Sequence, residues 1–208
     1  MMNGFSLDEY TKARPVQQYQ RALAAHVGAD SSEASILLQK APLFATAFFP
    51  GKDRSLVLVG AGHGLSMLML QQAGYVVTGV ESDANAVDYA LAHGLDVKNA
   101  SPGNLAFPSG SASALISFAS WPKNGQVAWL DEEYRVLRQG GYAVHVTAKE
   151  SVPLASSGAI SASKFGKPCR SYLTGGYVPD ENGGHVEEYA LQVLKKPGAL
   201  ESLFRTVR

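Results

Sequence analysis

The sequence predicts an α/β fold with a mostly parallel sheet, and three observations carry this prediction. Apolar runs that suit buried strands alternate with helix-compatible segments along the middle of the chain. The first run, residues 56–59, ends in a turn with three alternating glycines that leads into a helix. A second run ends at Glu81, about 20 residues after Gly60. Because a strand, a crossover helix and a second strand join parallel neighbours, this alternation predicts helices on both faces of the sheet.

The predicted elements follow in order. Strands are predicted at residues 56–59, 75–80, 95–98, 115–119, 142–147 and 186–195, and helices at residues 64–73, 84–93 and 126–137. Two helices are predicted before this core, over residues 8–27 and 32–48, with Pro15 beginning or interrupting the first. We expect them to lie over the carboxyl edge of the sheet as a lid. Residues 150–184 are rich in Ser, Gly and Pro and predict an irregular excursion with room for one short helix.

Length and composition limit the possible domain organisation of the chain and its possible binding partners. The 208 residues suit a single domain, which we divide into an amino-terminal helical lid (1–49), a core (50–148) and an irregular insertion with the final strand (149–208). Eighteen basic and eighteen acidic residues, without a run of one sign, argue against a nucleic-acid or anionic membrane surface. No basic leader or long apolar segment is present, so we expect a cytoplasmic protein without a membrane span. The single cysteine, Cys169, excludes an intrachain disulfide and a thiolate metal cluster.

The glycine turn and Glu81 predict a site for a nucleotide-like cofactor. Glycines have no Cβ atom, so a ligand can approach the backbone at Gly60, Gly62 and Gly64. An acid at the carboxyl end of the second strand is placed to accept hydrogen bonds from both hydroxyls of a ribose. Two simpler interpretations remain open, a tight turn without a ligand and a carboxylate at Glu81 that is solvated or caps the next helix.

Four segments of the core resemble one family. They are residues 56–64 (LVLVGAGHG), 77–83 (VTGVESD), 105–111 (LAFPSGS) and 132–141 (EEYRVLRQGG). Together they resemble the class I S-adenosylmethionine-dependent methyltransferases, in particular the methyltransferase type 11 group. The resemblance implies a Rossmann-like sheet of seven strands, mostly parallel, with an antiparallel last strand and helices on both faces.

The resemblance also implies S-adenosylmethionine as the cofactor and assigns residues to it. The methionine part would lie against backbone at Gly60, Ala61 and Gly62, and the ribose against Glu81. The adenine would lie beside Ser82, and Phe118 with Ala119 would line the sulfonium side. Two further positions, where the family usually has an Asp-Ala pair that binds adenine, are held by Ser101 and Pro102. For Phe118 the alternative is a core side chain, and for residues 101–103 it is a simple turn.

Three positions depart from the family pattern. Leu58 stands where the family commonly has an acid that holds the methionyl ammonium group, and Ser101 replaces the acid that binds adenine. Ser113 and Ala114 replace a Phe-Asp pair before the fourth strand. These losses keep a second interpretation open, a catalytically degenerate binding or scaffold domain.

The function predicted from the sequence is methyl transfer from S-adenosylmethionine to a small-molecule acceptor that the sequence does not identify. No residue is assigned as catalytic; His145 and His185 are candidate bases by chemistry alone, and no metal is expected. His63, inside the glycine turn, either contacts the cofactor carboxylate or faces solvent. A nucleotide-dependent oxidoreductase is a weaker alternative, because Leu65 stands where the dinucleotide fingerprint requires a small residue. The oligomeric state is not indicated.

Overall fold

A computed structural model describes residues 12–29, 31–34, 39, 41–49, 54–118, 126–148, 163–165, 170–178 and 185–198. Its strands are β1 (Ser55–Val59), β2 (Val76–Glu81), β3 (Val97–Asn99), β4 (Ala112–Phe118), β5 (Leu137–Ala148), β6 (Arg170–Val178) and β7 (His185–Lys195). Its helices are α1 (Arg14–Val27), α2 (Ala41–Ala45), α3 (Leu65–Gln72), α4 (Ala84–Ala92) and α5 (Gln126–Val136), with short 3₁₀ turns at Ser32–Ala34 and Thr46–Phe48. None of the described helices is long and apolar enough to cross a membrane.

The seven strands form one sheet in the order β3-β2-β1-β4-β5-β7-β6. The pairs among β1 to β5 are parallel, whereas β7 runs antiparallel to both β5 and β6. The chain proceeds outward from β1 to β3 and then returns to place β4 on the other side of β1. The predicted fold class, a mostly parallel Rossmann-like sheet with an antiparallel last strand, is confirmed.

Apolar side chains pack on both faces of this sheet. On one face, α1 and α3 cover the strands, and the buried residues there include Leu23, Leu58, Met67 and Ile116. We call this cluster the α1/α3 core. On the other face, α5 covers the strands through a second cluster that includes Leu130 and Leu115. Successive strand residues point to opposite faces, so the nearly continuous apolar runs of β1 and β4 supply both clusters.

Two expectations for the elements were wrong. The stretch 150–184, predicted to be irregular, contains β6, whose alternation is obscured by Gly175 and Gly176 in the middle of the strand. Among the described strands β6 is the last of the sheet and pairs on one side only, so it needs no long apolar run. The helix predicted over 32–48 is divided, in its described parts, into 3₁₀ turns and the five-residue α2. Pro42 near the start of α2 disfavours a helix that continues through it.

The first predicted helix begins at the proline, because Pro15 lies in the first turn of α1. The predictions made for Cys169, Ala119 and the His185 side chain fall outside the part of the chain that the structure describes.

Candidate functional site

The candidate site lies at the carboxyl ends of the central strands. In the sheet register, Val59 of β1 is opposite Val80 of β2 and Ser117 of β4. The residues that follow these three therefore form one row across the edge of the sheet, and they are Gly60, Glu81 and Phe118. The strand order reverses between β1 and β4, and open α/β sheets bind ligands in the crevice at such a reversal.

The glycine turn is held against β2 by its backbone. The amides of Gly60 and Ala61 both donate to the carbonyl oxygen of Val80, at 2.9 and 3.1 Å. Gly62 has a φ of +51°, which favours glycine. A Cβ atom at Gly62 would also lie 3.0 Å from a carboxylate oxygen of Glu33. The turn is thus fixed in place, and its exposed surface is bare backbone.

Glu81 joins the turn to the end of β2. Its Oε2 atom accepts a hydrogen bond from the Gly62 amide at 2.9 Å, and Oε1 accepts from the amides of Ser82 (2.7 Å) and Asp83 (3.0 Å). Because a carboxylate oxygen accepts about two hydrogen bonds, Oε2 retains capacity for a further donor. The helix that follows has its own cap, since the Asp83 side chain accepts from the Asn85 amide at 2.9 Å. Glu81 is therefore not needed as the cap of α4.

The described residues between 12 and 39, which we call the amino-terminal segment, contact this turn at His63. Glu33 accepts a hydrogen bond from the His63 amide at 3.2 Å and also pairs with Nδ1 of the His63 ring. The Tyr19 hydroxyl donates to the His63 carbonyl oxygen. Two residues beyond the turn, the Ser66 hydroxyl lies 2.7 Å from both the carbonyl oxygen and the side-chain oxygen of Gln39. The solvent-facing alternative for His63 was wrong, because only 9% of the residue is exposed.

Aromatic rings surround the docked segment. Tyr89 of α4 stacks on His26 and His93, with ring centroids 4.6 and 4.2 Å apart, and contacts Tyr19 edge to face. Burial, and secondarily the neighbouring Tyr89, raises the pKa of the Tyr19 hydroxyl above its ordinary value. The hydroxyl therefore keeps its proton at neutral pH and remains the donor to His63.

The other predicted cofactor residues lie around the same edge with different surroundings. Ser82 is exposed, and its hydroxyl lies 3.3 Å from Glu81 Oε1. Ser101 and Pro102 belong to a tight turn closed by the Asn104 amide, which donates to the Ser101 carbonyl oxygen at 2.9 Å. Phe118 is half-buried and packs against the α1/α3 core. Hydrogen bonds thus join Gly60, Ala61, Gly62, Glu81 and Ser82 into one unit with β2, whereas Ser101, Pro102 and Phe118 occupy neighbouring strand ends.

The structure also shows where the other two departures from the family pattern lie, Leu58 and the pair Ser113-Ala114. Leu58 is fully buried in the α1/α3 core. Ser113 lies near the amino end of β4, where its hydroxyl donates to the Ser55 carbonyl oxygen at 3.1 Å. Because β1 and β4 are parallel, the pair Ser113-Ala114 is at the end of the sheet opposite the glycine turn. Its substitution therefore removes no carboxylate from the candidate site.

His145 lies opposite Ser117 of β4, one residue before the row of strand ends that forms the candidate site. It is 1% exposed and faces α5, where its Nε2 atom is 2.8 Å from Oε2 of Glu133, which is equally buried. This pair joins the helix to the sheet and keeps the His145 ring out of contact with solvent. A groove of about 390 Å³ lined in part by Ser55, Val76 and Arg138 opens at the amino ends of β1 and β2. This groove is at the end of the sheet remote from Glu81.

Glu33 is the residue that sequence reasoning missed. It lies 30 residues before His63 in the chain and belongs to a three-residue 3₁₀ turn. The surrounding sequence contains no pattern that indicates contact with the glycines.

The strand order, the reversal and the glycine turn define a class of protein, the Rossmann-like α/β domains with the class I methyltransferase topology. Residues 57–145 match the family model described as a methyltransferase domain. The resemblance predicted from the four sequence segments is therefore confirmed for this part of the chain. The comparison with curated proteins found no match.

Solved structures share the fold at low sequence identity. One is the Haloferax volcanii complex between the methyltransferase activator Trm112 and its methyltransferase partner (TM-score 0.63, 16% identity, 88% of this chain and 97% of that one). Another is a Thermotoga maritima protein described as a possible histamine N-methyltransferase (TM-score 0.55, 15% identity, 90% and 99%). A third is an S-adenosylmethionine-dependent methyltransferase of Methanosarcina mazei (TM-score 0.52, 18% identity, 76% and 98%). At these identities the likeness establishes the fold alone.

Proposed function

We propose that the protein is an S-adenosylmethionine-dependent methyltransferase that acts on a small-molecule acceptor. The observation that carries this proposal is the contact between Glu81 and Gly62, which brings a carboxylate and bare backbone together at the reversal of the strand order. The match of residues 57–145 to the methyltransferase domain family supports the same conclusion.

The residues at the edge of the sheet fit this cofactor. The backbone at Gly60, Ala61 and Gly62 would hold the methionine part, and the remaining acceptor capacity of Glu81 Oε2 suits a ribose hydroxyl. A side chain at Gly62 would press against the Glu33 carboxylate. We assign the other positions by the same family pattern, the adenine to Ser82, Ser101 and Pro102 and the sulfonium side to Phe118.

Orientation and exclusion of water account for catalysis in this proposal. When bound, S-adenosylmethionine supplies an electrophilic methyl group on a sulfonium that leaves as a neutral thioether. The chain has to bring the acceptor nucleophile into line with that methyl group and to keep water away. The docked amino-terminal segment suits the second task, because Tyr19 and Glu33 fasten it directly over the glycine turn.

A second candidate function is a cofactor-binding or scaffold domain without catalysis. It is favoured by Leu58 and Ser101, which stand at two positions where the family has a carboxylate at this edge of the sheet. The relative from Haloferax volcanii, which forms a complex with an activator, suggests a variant in which activity requires a protein partner. A nucleotide-dependent oxidoreductase is less favoured because Leu65, fully buried at the start of α3, replaces the small residue of the dinucleotide fingerprint.

Calorimetric titration tests the proposal. We expect micromolar binding of S-adenosylmethionine and S-adenosylhomocysteine, no binding of NAD, and a loss of about tenfold or more in Glu81→Ala. The matched control is Asp88→Ala, which removes an exposed acid from α4. Absence of binding to both sulfur ligands would reject the proposal, and binding without turnover of any acceptor in a broad panel would favour the binding domain. Thermal unfolding of each unliganded variant checks that the fold is retained.

A further inference from the structure

We infer that Glu33 binds the ammonium group of the methionyl part of the cofactor. This inference rests on the proposed function, and it assigns a role to a residue outside the matched family segment, which begins at residue 57.

Hydrogen bonds hold one oxygen of the Glu33 carboxylate in place, and the other oxygen has no donor among the described residues. Oε2 receives the His63 amide at 3.2 Å and pairs with the His63 ring, and it lies 3.0 Å from the position of a Cβ atom at Gly62. No described residue donates a hydrogen bond to Oε1, which is 4.0 Å from the same Cβ position. The Glu33 side chain is 40% exposed. The carboxylate is therefore held over the glycine turn, partly exposed, and its Oε1 accepts no hydrogen bond from the described residues.

Charge complementarity identifies what this oxygen would bind. S-adenosylmethionine carries an ammonium, a sulfonium and a carboxylate, so it has a net positive charge at neutral pH. Glu81 already accepts three backbone amides, and Leu58 contributes no charge and is buried. Of the carboxylates that the structure describes at the turn, Glu33 is the one with an unused oxygen beside Gly62. A charge-assisted hydrogen bond to an ammonium is the strongest contact that this oxygen can make.

The inference links cofactor binding to the amino-terminal segment. Glu33 reaches the turn only while this segment is docked through Tyr19 and Gln39. An ammonium bound by Glu33 would consequently hold the segment against the crevice.

The test compares two ligands that differ only in the amino group. These are S-adenosylhomocysteine and its deamino analogue, in which hydrogen replaces the ammonium, and both are titrated into the wild type and Glu33→Gln. We expect Glu33→Gln to weaken S-adenosylhomocysteine about 10- to 100-fold and to leave the deamino analogue no weaker. Asp88→Asn, which also removes one exposed negative charge, should bind both ligands as the wild type does.

Each other outcome has a distinct meaning. Equal weakening of both ligands by Glu33→Gln would overturn the inference, because Glu33 would then act only by positioning the turn. Unchanged binding of S-adenosylhomocysteine would overturn it too, because the ammonium would be bound elsewhere. If the wild type binds neither ligand, the proposed function fails and the inference fails with it. Thermal unfolding without ligand must show that Glu33→Gln is folded.

Discussion

Two adjacent glycines before the long parallel part of β5 are constrained for different reasons. Gly140 has a φ of +75°, and no described atom lies within 4 Å of the Cβ position. Gly141 does not have this positive φ, but a Cβ there would lie 2.9 Å from the Arg138 carbonyl oxygen and 3.1 Å from that of Ser113. These oxygens belong to backbone, so neither can move as the end of a flexible side chain does.

We therefore expect Gly141→Ala to destabilise the protein more than Gly140→Ala. Gly140→Ala costs about 1 kcal/mol for a left-handed backbone at a residue with a Cβ atom. Gly141→Ala forces strand β5 away from β4 and costs about 3 kcal/mol. Urea unfolding of the two variants against the wild type measures both values. Equal losses, or a larger loss for Gly140→Ala, would show that the crowding at Gly141 is relieved by a small backbone shift.

At the scale of residues, local sequence patterns predicted the glycine turn and Glu81 of the candidate site but did not predict Glu33. The glycine turn and Glu81 follow from strand ends and from spacing, because parallel strands align their carboxyl ends. In the structure, Glu81 Oε2 accepts a hydrogen bond from the Gly62 amide at 2.9 Å. The contact of Glu33 with His63 depends on how a separate segment docks on the core, and such a contact leaves no local trace in the sequence. The burial of His63 was missed for the same reason.

An ion pair within α5, between Glu132 and Arg135, also holds the segment before β4 against this helix. Arg135 donates to Glu132 from Nε (2.6 Å) and from a terminal guanidinium nitrogen (2.7 Å), and it also donates to the Phe107 carbonyl oxygen at 2.8 Å. Glu132 accepts the Leu105 amide at 2.9 Å. Glu132 and Arg135 are the acid and the arginine of the acid-x-x-Arg pattern in residues 132–141, and they clamp residues 105–107 to the helix.

This clamp predicts a pH dependence of stability. The hydrogen bonds from Arg135 lower the pKa of Glu132 below its ordinary value of 4.5, against the opposing effect of burial. A carboxylate with a lowered pKa in the folded state stabilises the protein above pH 4.5, and this contribution is lost as the pH falls through the folded-state pKa. Glu132→Gln should therefore cost about 1–2 kcal/mol at pH 7 and should lose less stability than the wild type on acidification below pH 4.5.

The measurement is urea unfolding at several pH values between neutral and the acid limit of folding. Asp88→Asn serves as the control, since it removes an exposed carboxylate from a helix. Parallel acid profiles for Glu132→Gln and the wild type would contradict the proposed contribution of this carboxylate.

The strands show what periodicity can and cannot predict at the scale of elements. β1 and β4 are central and buried on both faces, so their apolar runs were identified. In the described part of the chain β6 pairs with β7 alone, and its sequence, with two adjacent glycines, was taken as irregular. An edge strand is stabilised mainly by its partner, and the sequence of one strand does not contain that partner.

For the whole molecule, the central question is whether α1 is a detachable lid or part of the core. Sequence reasoning separated residues 1–49 from residues 50–148 as a lid. In the structure, Val16, Tyr19 and Leu23 of α1 are buried in the same cluster as Leu58 and Met67. A helix that contributes fully buried side chains to the main cluster is expected to unfold with the sheet.

Leu23→Ala distinguishes the two arrangements. Leu23 is 0% exposed, so truncation leaves a cavity and should cost about 3 kcal/mol. If α1 belongs to the core, this loss lowers the hydrogen-exchange protection of the slowest amides in β4 and β5 as well as that of α1. If α1 is a separable lid, only its own amides and those it covers lose protection, while β4 and β5 keep wild-type rates. Gln18→Ala, at an exposed position of the same helix, should change neither set. We expect the first result, because the Tyr19 hydroxyl and the buried face of α1 connect this helix to both the glycine turn and the sheet.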